Sequence, residues 1–248
     1  MSYPAYAERK ASGVEWLGDV PAGWEVTRLK FVCSRSALYG ANESADGYQD
    51  DGIRFLRTTD IDDAGDLSDA IPVFLDKDKV QDYLLEDGDI LLSRSGTIGR
   101  AFLYDERKHG QCAYAGYLVR FCLNHTCLSK FFFYFTKSKS FIDWLASAVI
   151  QSTIGNVNGQ KYANVSFSLP PLPEQQQIAA FLDRKTAELD AVLRLKARQL
   201  ELLAEKRQAL ISQAVTRGLD PTAPLKPSGI PWLGEVPGHW AVTPLKFL

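Results

Sequence analysis

Over the first two thirds of the chain, short apolar runs bounded by glycine and aspartate alternate with irregular polar stretches. Ile53-Arg54-Phe55-Leu56, Asp89-Ile90-Leu91-Leu92-Ser93 and Tyr117-Leu118-Val119-Arg120-Phe121 have the length, residue types and boundaries of short strands. Residues 24–32, with Trp24, Val26, Leu29 and Phe31, read as another strand. Residues 128–149 place Phe131, Phe135, Phe141, Leu145 and Val149 roughly along one helical face and predict a helix. The run Phe131-Phe132-Phe133-Tyr134-Phe135 lacks the alternation of a strand that displays aromatics to bases, so it reads as core.

A sharp boundary follows at Leu169-Pro170-Pro171-Leu172-Pro173. Residues 174–217 then hold neither Gly nor Pro, enough for a helix of roughly 65 Å at 1.5 Å per residue. Leu182, Leu189, Leu203 and Leu210 share one heptad position that Lys196 interrupts, and Ile178, Val192, Leu193, Leu200 and Ala214 widen the stripe. A helix this long cannot hide such a stripe by itself, which predicts a coiled coil with a partner helix. Gly218 and Pro221 supply the stop.

The chain also repeats itself. Ser12-Gly13-Val14-Glu15-Trp16-Leu17-Gly18-Asp19-Val20-Pro21 returns as Ser228-Gly229-Ile230-Pro231-Trp232-Leu233-Gly234-Glu235-Val236-Pro237, and the match runs on through Trp24 and Trp240. The offset is 216 throughout, with 13 identities in 21 positions. A period this long is no solenoid, whose units run to about 20–50 residues; it points to duplication of a whole domain. The expected organisation is a first repeat copy (1–32), a globular domain (33–169), a long helix (170–218), and a linker opening a second unit (219–248). The fold class is α+β: a mixed α/β domain followed by a helix that forms an antiparallel coiled coil with a partner.

Composition adds little until the charge is divided. Apolar content of 46% and charged content of 23% are ordinary for a globular protein. The first residues form no apolar leader and no run of about 18 apolar residues is present, so a cytoplasmic protein without a membrane span is expected. Cys33, Cys112, Cys122 and Cys127 read as free thiols, and the Cys122/Cys127 spacing has no second pair to complete a zinc site, so no metal is expected. Residues 42–89 carry 15 acids against four basic residues, a net of −11, whereas residues 90–161 carry nine basic residues against three acids, a net of +6. The second block could form a basic face toward a polyanion, although sequence blocks need not map to faces.

Leu169-Pro170-Pro171-Leu172-Pro173-Glu174-Gln175-Gln176-Gln177-Ile178-Ala179 opening a Leu-striped helix resembles the conserved region of type I restriction-modification specificity subunits. Asp89-Ile90-Leu91-Leu92-Ser93-Arg94-Ser95-Gly96-Thr97-Ile98-Gly99-Arg100, Ser152-Thr153-Ile154-Gly155-Asn156-Val157-Asn158 and the Trp-Leu-Gly repeat are similar to that family too. The resemblance implies a non-catalytic subunit that reads double-stranded DNA and scaffolds methyltransferase (M) and restriction (R) subunits. S-adenosylmethionine, ATP and Mg would then belong to those partners, with no cofactor in this chain. Such subunits usually hold two target-recognition domains, each reading half of a bipartite site, with two conserved helices packed antiparallel as a spacer. This chain departs from that pattern, with one recognition domain, one helix and the opening of a second unit, so self-association through the helix as a homodimer is expected. Two other readings remain open: a recognition domain detached from a single-chain restriction-modification enzyme, and a coiled-coil adaptor without a DNA role.

Reading base pairs needs donors and acceptors that reach the groove edges. Ser93, Arg94, Ser95, Thr97 and Arg100 supply hydroxyls and guanidinia around Gly96 and Gly99, although the same loop also fits a plain glycine turn. Gln151, Ser152, Thr153, Asn156, Asn158 and Lys161 form an amide- and hydroxyl-rich stretch that is either DNA-facing or a polar connection. Lys108-His109 and Tyr39-Gly40-Ala41-Asn42 are further candidates. Catalytic residues are not expected. Leu169 and Leu172 flank Pro170-Pro171, where an amino-methyltransferase carries Asn or Asp before the prolines and an aromatic after them. No Gly-rich donor loop or Gly-Lys-Ser/Thr loop is present. Asp76-Lys77-Asp78-Lys79 reads as a solvated turn rather than a nuclease motif, and His109, His125 and His239 form no constellation.

Overall fold

A computed structural model describes residues 6–68, 71–150 and 155–247, which divide into two units, Met1–Asp183 and Arg184–Leu248. The strands of the first unit are β1 (Arg9–Ala11), β2 (Asp19–Pro21), β3 (Glu25–Arg28), β4 (Leu38–Tyr39), β5 (Ile53–Leu56) and β6 (Phe74–Leu75). They continue as β7 (Ile90–Ser93), β8 (Ala101–Leu103), β9 (Cys112–Tyr114), β10 (Leu118–Phe121) and β11 (Ser166–Leu169). Helices α1 (Lys77–Val80), α2 (Glu106–His109), α3 (Ser129–Thr136), α4 (Lys139–Ile150) and α5 (Gly159–Ala163) fill the connections, and α6 (Leu172–Arg217) follows.

An antiparallel sheet of order β4-β10-β7-β8 divides the interior in two. Side chains alternate across a strand, so Ile90, Leu92, Ala101, Val119 and Phe121 face a core shared with Phe132, Phe141, Trp144, Tyr162 and Phe167. Leu91, Phe102 and Leu118 face a second core with Leu56, Ile61, Tyr104 and Tyr114. Burial on both faces is why residues 90–92 read as a continuous apolar run rather than an alternating one. A second sheet, β6-β5-β9, pairs β5 antiparallel to β6 and parallel to β9. Arg120, on the otherwise apolar β10, is buried with its Nε 2.7 Å from Asp89 Oδ2, and its Nη1 donates to the Leu84 carbonyl at 2.8 Å. Burial pushes the Asp89 carboxyl above its ordinary range against the pull of Arg120. The pair ties the 84–89 loop to the central strand.

Three local expectations change. The helix over 128–149 is two helices, because Lys137 N–H turns back to the Phe135 and Tyr134 carbonyls and Ser138 Oγ accepts from Phe141 N–H to start α4. The strand over 24–32 stops at Arg28, where Leu29–Phe31 tightens into a single 3-10 turn that buries Leu29. The first repeat copy is not a separate segment: β3 pairs antiparallel with β11, Thr27 opposite Phe167, so residues on both sides of the globular region close one unit.

Helix α6 begins against this unit. Gln175 is fully buried in its first turns; its Oε1 accepts from Leu128 N–H at 2.8 Å, and its Nε2 donates to the carbonyls of Thr126 and Pro170, both at 2.9 Å. One amide thus satisfies three backbone groups that lie outside any ladder. Asp183 Oδ2 pairs with Lys130 at 2.8 Å, and Ile178 packs on the first core. Further along, the predicted stripe is exposed: Leu189, Val192, Leu193, Leu200, Leu203 and Leu210 all face solvent, Leu189 at 63%. Gln175→Ala leaves one N–H and two carbonyls without their partner and is expected to cost at least about 3 kcal/mol, at about 1–3 kcal/mol per buried orphan. Urea unfolding of the chain reads this; a loss below about 0.5 kcal/mol, within ordinary surface scatter, would contradict the pinning role.

Candidate nucleic-acid interface

Three strand ends converge at one edge of the central sheet. Tyr39 ends β4, Arg94 follows β7, and Tyr117 precedes β10, where Arg94 N–H donates to the Tyr117 carbonyl at 3.0 Å. The chain after Tyr39 turns in so tightly that a Cβ on Gly40 would lie 2.1 Å from the Tyr114 carbonyl oxygen, so glycine is required there. Ala41 N–H bonds that carbonyl at 2.9 Å, and Gly116 N–H bonds the Ala41 carbonyl at 2.8 Å. Both Tyr39 and Tyr117 are exposed here, Tyr117 at 63%. The Arg94 guanidinium lies over the Tyr39 ring, 5.0 Å from its centroid. Such stacking orients the planar fork, whose Nε is buried without a hydrogen-bond partner among the described residues in a half-buried side chain. The Tyr39 hydroxyl accepts from Gly159 N–H at 2.9 Å, and the Arg94 carbonyl accepts from Val157 N–H at 3.0 Å, so half-buried Asn156 borders the same rim.

The other predicted residues divide between this rim and the framework. Thr97 is exposed and Ser95 half-buried in the turn beside Arg94. Ser93 is fully buried; its hydroxyl faces Thr97 Oγ1 at 3.4 Å and its carbonyl accepts from Tyr162 at 2.7 Å, so it supports the loop rather than reaching solvent. Arg100 is held by Asp63 at 2.7 Å and donates to the Ile61 carbonyl at 2.8 Å. Lys108 pairs with Asp66 at 2.7 Å. Asn158 caps α5 by accepting from Lys161 N–H at 2.9 Å, and Lys161 Nζ donates to the Ala148 carbonyl at 3.0 Å. His109 sits against Phe102 and Tyr104, and burial holds its pKa below the ordinary value. Gln151, Ser152 and Thr153 lie outside the described residues.

The charge blocks do not resolve into a basic face and an acidic face. Arg100, Lys108 and Lys137 converge on the acidic loop around Asp63 and Asp66, with Lys137 donating to the Asp63 carbonyl at 3.0 Å. Arg120, Lys130 and Lys139 are matched by Asp89, Asp183 and Asp143. Three basic residues of the second block, Arg100, Lys108 and Arg120, are thus paired with acids of the first. Arg94 instead meets an aromatic ring, and among the described residues it forms no ion pair with an acid. Tyr117 was legible only as a strand start; its Gly116-Tyr117 turn beside an arginine-bearing loop was the missed signal. Burial pushes the Cys33 and Cys127 thiols up to about 12 and those of Cys112 and Cys122 to about 11, as expected of packing residues. Among the described residues no group of three His, Cys, Asp or Glu is placed to hold a metal ion.

The chain is similar to known proteins over most of its length. A family model described as the type I restriction modification DNA specificity domain matches residues 21–201. The type I restriction enzyme MjaVIII specificity subunit of Methanocaldococcus jannaschii is 27% identical over 233 residues, covering 92% of this chain and 49% of that protein. The type I restriction enzyme EcoKI specificity subunit of Escherichia coli is 23% identical over 205 residues, covering 80% and 44%. Among solved structures, the HsdS subunit from Thermoanaerobacter tengcongensis superposes with a TM-score of 0.56 at 22% identity, covering 82% of this chain and 47% of that one. A chain from a structural study of type I R-M complex assembly and conformational transition gives 0.65 at 22% identity, with 82% and 48% covered. These structures share the fold. The chain spans about half the length of the curated relatives it matches.

Proposed function

From the premise that this chain belongs to the family of type I restriction modification DNA specificity domains, we propose that it reads one half of a bipartite double-stranded DNA target and carries no catalysis of its own. The observation that supports this most is the rim of Tyr39, Arg94, Ser95, Thr97, Tyr117 and Asn156: a stacked guanidinium, hydroxyls and an amide at one sheet edge. Such a set matches the donor and acceptor pattern of base edges and phosphates. Methyltransferase and restriction subunits would supply S-adenosylmethionine, ATP and Mg chemistry in a cytoplasmic complex.

Helix α6 is the second part of this reading. Its stripe from Leu189 to Leu210 is solvent-facing, which costs roughly 25 cal/mol per Å² of apolar area left in water. A second copy of the helix, antiparallel, covers that stripe and sets two recognition domains at a fixed spacing. Ile178 is excluded from the pairing surface because it packs on the first core.

Two experiments test these parts. In complex with a methyltransferase subunit, Arg94→Ala and Tyr117→Ala are each expected to weaken binding of target DNA by about 1–3 kcal/mol. A phosphate contact shows as a drop of about 1 in the slope of log affinity against log salt. Arg100→Ala, already neutralised by Asp63, should change affinity far less; if it weakens binding more than Arg94→Ala, the rim is wrongly placed. Sedimentation reads the second part: Leu189→Glu with Leu203→Glu should turn dimers into folded monomers, and an unaltered chain that stays monomeric at high concentration contradicts the pairing.

A further inference from the structure

The Tyr39 ring that carries Arg94 is also a wall of an open hollow of about 350 Å³. Lys30, in the 3-10 turn after β3, borders it, as do Ser34, Arg35 and Ser36 on the way into β4 and Gln160 in α5. Local packing fixes this shape. A Cβ on Gly159 would lie 2.9 Å from the Ala37 Cβ and 3.1 Å from the Tyr39 hydroxyl, so glycine lets α5 close on the segment that enters β4. Ser34 N–H and hydroxyl both donate to the Cys122 carbonyl, at 2.9 and 3.1 Å, which ties the same segment to the end of β10.

No carboxylate lines the hollow. Lys30 is exposed and forms no ion pair among the described residues; its ammonium lies 5.1 Å from the Phe31 ring centroid. The side chains of Ser36 and Gln160 are exposed as well, without a hydrogen-bond partner among the described residues. Arg35 differs, since its Nη2 donates to both Glu86 oxygens at 3.0 and 3.1 Å. That pair is exposed on both sides, where ion pairs contribute little, and Glu86 Oε1 is shared with Arg120 Nη2 at 3.0 Å. Lys30 is therefore the principal charge of the hollow and Arg35 an auxiliary one. Both lie outside the two charge blocks, 42–89 and 90–161. Ammonium, hydroxyl and amide donors facing one space without an acid suit an oxyanion, which takes charge-assisted hydrogen bonds from them.

Resting on the DNA reading above, we infer that this hollow takes a backbone phosphate of the duplex whose base edges meet the Arg94 rim. An element that reads base edges lies between two phosphate strands, and contacts to those strands set register while base contacts set sequence. Tyr39 joins the two sites. Its ring supports the Arg94 fork and walls the phosphate seat, and its hydroxyl is fixed by Gly159 N–H at 2.9 Å. Lys30 supplies the countercharge as a compact point cation, and Ser36 and Gln160 supply neutral donors. The hollow has room for a phosphodiester group together with several waters at about 30 Å³ each. The rim then discriminates between sequences, and the hollow holds the duplex in place regardless of sequence.

The test uses the complex with a methyltransferase subunit, and duplexes with and without the target. Lys30→Gln is expected to weaken both duplexes by the same factor and to lower the slope of log affinity against log salt by about 1, whereas Lys30→Arg keeps the slope. A scan of single neutral methylphosphonates along the target then locates the phosphate. At one position the substitution should weaken the unaltered complex several-fold yet change Lys30→Gln by less than about twofold, the signature of a shared contact rather than of independent, additive sites. An unchanged slope in Lys30→Gln, a loss confined to the target duplex, or a scan that costs both proteins equally at every position overturns the inference. So does weaker capture of the methyltransferase subunit with the slope intact, which would give the hollow to a protein partner. If Arg94→Ala still weakens target binding in any of these cases, the DNA reading stands and only the phosphate seat falls; if neither variant alters DNA binding, both fall.

Discussion

The buried amide of Gln175 is the constraint on which this architecture turns. Its side chain satisfies Leu128 N–H and the carbonyls of Thr126 and Pro170 at once, in a place where an unpaired group would cost about 1–3 kcal/mol. It ties three separate stretches: the loop before α3, the proline boundary, and the first turns of α6. The helix therefore starts from a fixed point on the recognition domain. Glu174 beside it takes Trp24, so the same turn also locks the first repeat copy in place. A glutamate–glutamine pair after a proline run is thus a joint between the globular unit, the first repeat copy and the helix.

Much of this was legible in the residues. Strands 53–56, 90–93 and 118–121 declared themselves by length and glycine–aspartate punctuation, and α6 by the absence of Gly and Pro up to Gly218. What was not legible depends on contacts between distant segments. The pairing of β3 with β11 joins residues some 140 positions apart, and no local pattern announces it. The split at Lys137–Ser138 hinges on a serine cap inside a helical apolar period. Among candidate residues, sequence could nominate Arg94 and Arg100 equally, because only the fold shows that one stacks on Tyr39 and the other is matched by Asp63. Charge counting by block missed the ion pairs Arg100–Asp63, Lys108–Asp66 and Arg120–Asp89, because their partners lie far apart in sequence.

On the proposed reading, recognition and spacing are two consequences of one design. The rim presents few groups, each held by backbone contacts of neighbouring strands, so its geometry is preorganised rather than induced. In the proposed pairing, the exposed apolar stripe of α6 is covered by a second copy of the same helix packed antiparallel, an arrangement with two-fold symmetry. Two identical rims related by that axis can read only two identical half-sites in inverted orientation. This is the account's central claim. It is tested most directly by sequencing the DNA sites modified when this chain is supplied with a methyltransferase subunit as its only specificity component. The account predicts an interrupted palindrome, the same half-site inverted about a spacer of constant length. An asymmetric bipartite site, or a single uninterrupted one, would contradict it.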